Sequence, residues 1–108
     1  RTIYIEGTAE NAVKEHRICT AEGRTLAVLD KPVHTIGKKR GETDIVLEDV
    51  SVSRLHARIV QEKETFYLED LNSTNGTFKN GLRLQPYEKR ELATEDEVRI
   101  GRINLTFL

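Results

Sequence analysis

Apolar and polar residues alternate over short stretches along most of this chain, and each stretch ends at a turn-forming residue before a helical period can develop. Runs at residues 2–6, 17–20, 25–29, 34–36, 45–47, 57–61, 65–69, 77–79, 97–100 and 104–108 predict strands. The run at 65–69 is typical, with Phe66 and Leu68 on one face and Tyr67 and Glu69 on the other. Gly23, Pro32, Gly41, Gly76, Gly81 and Gly101 punctuate the pattern. Such density predicts an all-β sandwich with little room for helices. The exception is residues 8–16, where Thr8 could cap a helical turn through Ala9, Ala12, Val13 and Glu15. A flexible hairpin between the first two strands accounts for that segment equally well.

The most unusual interruption is Leu71-Asn72-Ser73-Thr74-Asn75-Gly76-Thr77. Gly takes positive φ without steric cost, and Asn, Ser and Thr side chains bond nearby backbone amides. A polar loop of this kind is stiff, so the hydroxyls of Ser73 and Thr74 and the amide of Asn75 are expected to be preorganised for binding. A plain hairpin turn is the alternative for this loop taken alone. Two further segments accompany it. Thr35-Ile36-Gly37-Lys38-Lys39-Arg40-Gly41 sets three cations between two glycines, and Ser53-Arg54-Leu55-His56 precedes an alternating strand.

Gly37 with a following base, Asp44-Ile45-Val46-Leu47, Ser53 and His56 three apart, Asn72 followed by Asn75-Gly76-Thr77, and Asn80-Gly81 together resemble a forkhead-associated (FHA) domain in order and spacing. The resemblance is sharp over residues 35–81 and weaker from 17 to the C-terminus, and it does not reach residues 1–16. It implies an FHA/SMAD-like β-sandwich of about eleven antiparallel and mixed strands whose loops at one end bind a phosphothreonine peptide of a partner protein. It also implies the division of labour. Lys38 takes the place of the phosphate-binding base, Ser53 offers its hydroxyl, Arg54 its backbone amide with its side chain as a further candidate, and Thr74 completes the cradle. Asn75 matches the residue that bonds the peptide backbone. Gly37, His56, Asn72 and Gly76 are expected to shape the loops. Where the family usually carries arginine this chain has Lys38, a point charge in place of a bidentate fork. The loop after Gly37 also runs one residue longer, which leaves Lys39 or Arg40 as alternative phosphate partners. Ser51 lies where the family reads side chains further along the peptide.

Composition agrees with a small binding module. The 108 residues suffice for one domain, with 37% hydrophobic and 32% charged residues. Residues 17–108 are expected to form the FHA domain, with 1–16 an N-terminal extension or a first strand with its linker. A formal net charge of −1 argues against nucleic acid as partner, since that footprint is strongly basic. Cys19 stands alone, so no internal disulfide framework is possible, and a small buried apolar role suits it. No apolar run reaches the ~18 residues of a membrane span, and no membrane contact or cofactor is expected. The chain begins without Met and contains none, which predicts a domain cut from a larger signalling protein. Its location is expected to be cytoplasmic, with the nucleus open in a eukaryote.

Other chemistries lack their residues. Ser53 and His56 sit three apart without a nucleophile elbow or orienting acid, so catalysis is not expected. Cys19 and His16 give two ligands where structural zinc needs four. Gly37–Gly41 lacks the Gly-Lys-Ser/Thr ending of a phosphate-binding P-loop. Asn72, Asn75 and Asn104 begin glycosylation-type triplets that read as chance matches. The remaining alternative is an FHA-like scaffold or self-association domain that binds without phosphate. The partner threonine could lie on another protein or in the parent chain.

Overall fold

A computed structural model describes residues 15–108 of the protein. Among these, eleven strands follow in order: β1 (Arg17–Thr20), β2 (Thr25–Val28), β3 (Val33–Gly37), β4 (Ile45–Val46), β5 (Ala57–Glu62), β6 (Thr65–Asp70), β7 (Thr77–Lys79), β8 (Leu82–Arg83), β9 (Lys89–Glu91), β10 (Glu97–Ile100) and β11 (Ile103–Phe107). They form two sheets. One has five strands in the order β9-β6-β5-β3-β4, and the other has six in the order β2-β1-β11-β10-β7-β8. Every pairing is antiparallel except β3 with β4, where Ile36 faces Ile45 and Gly37 faces Val46. The sandwich is therefore all-β with one mixed sheet, as expected.

The alternating pattern places the strands because each buries one face. In β10, Val98 and Ile100 are fully buried while Glu97 is exposed; in β6, Phe66 and Leu68 point inward. Ile18, Ile36, Ile59, Leu68, Ile100, Leu105 and Phe107 bring both sheets into one core. Each such side chain contributes about 1.5–3 kcal/mol on leaving water. Phe66 and Phe107 close one side of it with His16, whose ring stacks on Phe107 at 5.1 Å and whose Nδ1 lies 3.2 Å from the Leu108 carbonyl oxygen.

Two strands escaped the periodicity. Both residues of β8 are exposed, and β9 is the all-charged segment Lys89-Arg90-Glu91. Each is an edge strand held by backbone pairing, β8 against β7 and β9 against β6. With no buried face they carry no hydrophobic signature. The expected strand at 2–6 and nearly all of the segment at 8–16 lie outside the described residues. Cys19 is buried, in the role read for it.

Candidate functional site

Three loops meet at one end of the sandwich and are joined by hydrogen bonds. The first follows β3. Its Lys38 N–H is shared between the carbonyls of Ser53 (3.0 Å) and Arg54 (3.1 Å), and Lys39 N–H reaches Arg54 at 3.3 Å. Gly37 makes this approach possible, because a Cβ there would stand 2.0 Å from the Arg54 carbonyl oxygen. The base of the same loop is pinned by Asp44, whose carboxylate accepts from Lys31, from Thr35 N–H at 2.8 Å and from Thr35 Oγ1 at 3.1 Å. The Lys31 bond, then the Thr35 amide, hold the Asp44 carboxyl down at about 2.

The second and third loops are organised by His56, which is fully buried. Its Nδ1 accepts the Ser53 N–H at 2.9 Å, so the ring proton sits on Nε2, which donates to the Gly76 carbonyl at 2.8 Å. Burial lowers the imidazole pKa, against the opposing pull of the Gly76 bond and Asp70. Neutral His56 thus spans the Ser53 and Asn75–Gly76 loops. Two further bonds join the same loops: Thr74 N–H donates to Ser53 Oγ at 3.2 Å, and Asn75 Nδ2 donates to the Ser51 carbonyl at 3.0 Å.

The loop between β6 and β7 folds around Asp70, which is only 3% exposed. Its carboxylate accepts from Ser73 Oγ at 2.6 Å, Ser73 N–H at 3.3 Å and Thr77 Oγ1 at 2.6 Å. Ser73 Oγ in turn accepts the Gly76 N–H at 3.1 Å. The Ser73 hydroxyl, expected as a donor to ligand, is therefore used inside the loop. Asn72 sits at φ 60° and Gly76 at φ 95°, both left-handed. Asn tolerates that region and Gly has no Cβ to strain.

What faces solvent differs among the three loops. Thr74 and Arg54 are exposed, and among the described residues neither the Thr74 hydroxyl nor the Arg54 backbone amide has a hydrogen-bond partner. Ser53 Oγ accepts from Thr74, which leaves its own proton to donate. The cations of the first loop are unequal. Lys39 pairs with Glu42 at 2.9 Å and Arg40 with Glu48 at 2.7 Å, whereas Lys38 is exposed and enters no ion pair among the described residues. The Glu48 hydrogen bond and charge raise the Arg40 pKa, and Arg40 lowers that of Glu48 in return. Arg40 thus has a carboxylate partner in the folded loop, and Lys38 has none among the described residues.

The FHA domain model matches residues 34–101. This chain belongs to the FHA domain family. The Oxoglutarate dehydrogenase inhibitor of Corynebacterium diphtheriae is 40% identical over 81 residues, covering 75% of this chain and 54% of the relative. The Glycogen accumulation regulator GarA of Mycolicibacterium smegmatis is 41% identical over 81 residues, covering 75% and 49%. This FHA domain chain therefore spans about half the length of the curated relatives it matches. A solved FHA domain, studied for phosphothreonine-dependent interactions, is 30% identical and superposes with a TM-score of 0.76, covering 87% of this chain and 95% of its own.

The sequence had no means of singling out Asp49 or Arg102. Arg102 Nη2 and Nε hold both Asp49 carboxylate oxygens at 2.9–3.2 Å, and that carboxylate accepts Ser51 Oγ at 2.6 Å. Arg102 first, then Ser51, push the Asp49 carboxyl well below its usual range. Asp70, by contrast, left a faint signal, an acid closing a strand just ahead of the turn-forming Asn72-Ser73.

Proposed function

We propose that this FHA domain is a non-enzymatic reader of phosphothreonine on a partner protein. The observation that carries the reading is the bond from Thr74 N–H to Ser53 Oγ, which joins two residues whose hydroxyl protons have no acceptor among the described residues, beside the loop of Lys38, which has no ion-pair partner among them. A phosphate dianion needs several fixed donors and a nearby cation, and fixed donors lower the ordering cost of binding. Lys38 supplies the charge, Ser53 and Thr74 their hydroxyls, and Arg54 its amide and guanidinium. Asn75, with one amide hydrogen and its oxygen still unused, bonds the peptide backbone. Arg40 contributes little while Glu48 holds it. The names of the relatives support a regulator that acts by binding, and a threonine kinase as the source of the mark would place both partners inside the cell. The phosphothreonine could belong to another protein or to the same chain.

Fluorescence anisotropy with phosphothreonine, phosphoserine and unphosphorylated versions of one peptide tests this. The phosphothreonine peptide is expected to bind selectively, with about a fourfold preference over phosphoserine if one methyl is buried. Ser53→Ala and Thr74→Ala should each weaken it about tenfold, as loss of a charge-assisted hydrogen bond does. Lys38→Ala should do at least as much and Arg40→Ala almost nothing. Equal affinity for all three peptides would instead assign the domain to phosphate-independent docking.

A further inference from the structure

On the outer face of the six-stranded sheet, register sets Arg83, Phe78 and Arg99 side by side across β8, β7 and β10. The Arg99 guanidinium lies 3.7 Å from the centroid of the Phe78 ring and that of Arg83 lies 5.8 Å away. One aromatic ring thus supports two cations. Arg58, Arg90 and Arg102 are each neutralised by a carboxylate, yet among the described residues neither Arg83 nor Arg99 enters an ion pair. Among the described residues the two cations share the ring and no carboxylate, and like charges so close repel.

The row begins at the recognition loop. A side chain on Gly76 would meet Arg83 Nε at 2.8 Å, so Arg83 lies against the end of that loop. Arg99 Nη1 donates to the Gly101 carbonyl at 2.9 Å, and Gly101 N–H donates to the Gly76 carbonyl at 3.0 Å. Arg83 thus abuts Gly76 and Arg99 abuts Gly101, two glycines joined by a backbone hydrogen bond at the end of the loop that carries Thr74 and Asn75. An extended peptide advances about 3.3 Å per residue, so a ligand anchored at Ser53 and Thr74 carries its next few residues past this edge.

We propose that Arg83 and Arg99, on the Phe78 platform, form an accessory docking surface for an acidic segment of the partner adjoining its phosphothreonine. This rests on the phosphothreonine reading and specifies the partner further. The planar guanidinium matches carboxylates in pairs of hydrogen bonds, and stacking on Phe78 holds its orientation before the ligand arrives. Arg99 spends one N–H on Gly101 and keeps the others for ligand.

The test uses three phosphothreonine peptides with one core: one followed by three acidic residues, one preceded by them, and one with glutamine and asparagine at the same places. Affinities are measured at physiological ionic strength with the wild type, Arg83→Gln/Arg99→Gln and Ser53→Ala. One acidic peptide is expected to bind the wild type roughly fivefold tighter than the neutral one, the gain of two exposed ion pairs. The double variant should lose that gain and bind the neutral peptide as the wild type does. If circular dichroism finds the double variant misfolded, Arg83→Gln alone, at an exposed position, should lose part of the gain. No gain from either acidic extension, or a gain that survives in the variants, overturns the docking surface and leaves the phosphothreonine reading standing. Failure of every phosphopeptide to bind the wild type overturns both.

Discussion

His56 shows how one buried side chain sets the state of a binding site. Its Nδ1 must be unprotonated to accept the Ser53 N–H, and burial already lowers its pKa in the folded protein. Below about pH 6.5 the unfolded chain takes up a proton at this residue more readily than the folded one. Stability is therefore full above that pH and falls as pH drops toward the folded pKa. Urea midpoints followed from pH 8 to 5 should decline in the wild type and stay flatter through this window in His56→Gln, which is itself less stable by about 2 kcal/mol. A parallel decline in both proteins would remove His56 as the cause. Gly37 is a steric case. Gly37→Ala forces the Arg54 carbonyl away from Lys38 N–H, with an expected loss of about 3 kcal/mol in urea denaturation and weaker phosphopeptide binding.

At the scale of elements, the strands act as mounts and the loops are built from side-chain to backbone bonds. The β6–β7 loop depends on Asp70, because its carboxylate satisfies the buried Thr77 hydroxyl and Ser73 together. Asp70→Ala is expected to cost about 2–3 kcal/mol, since it leaves buried polar groups unpaired. It should also raise hydrogen exchange at the Gly76 amide, whose acceptor is Ser73 Oγ. Unchanged exchange at Gly76 would mean that Ser73 holds the turn without Asp70. The same contrast explains which elements could be read in advance. Strands with a buried face, such as β6 and β10, announce themselves by alternation, whereas β8 and β9 are edge strands whose side chains face water.

For the whole molecule, net charge and local charge serve different ends. The ion pairs Arg40–Glu48 and Lys89–Glu62 involve well-exposed side chains, so each contributes little to stability. Raising salt from 0.05 to 0.5 M should barely move the thermal midpoint while weakening phosphopeptide binding several-fold, because the phosphate contact is a concentrated charge. Salt-independent binding would place the main contact on an apolar face and favour the phosphate-free alternative.

The amino-acid sequence by itself determined the strand-rich class, most strand positions and the identity of the three loops, because alternation and turn residues are local properties. The roles within the loops were local only in part. Ser53, Thr74 and Asn75 stood out as side chains of binding chemistry, but that Ser73 is used internally depends on Asp70 folding back beneath it. Likewise, the choice among Lys38, Lys39 and Arg40 is invisible in a run of three adjacent cations. The structure adds one difference between them, carboxylate partners for Lys39 and Arg40 in Glu42 and Glu48 and none for Lys38 among the described residues. The row of Arg83, Phe78 and Arg99 exists only once β7, β8 and β10 pair, since register across a sheet brings together residues that sequence keeps apart.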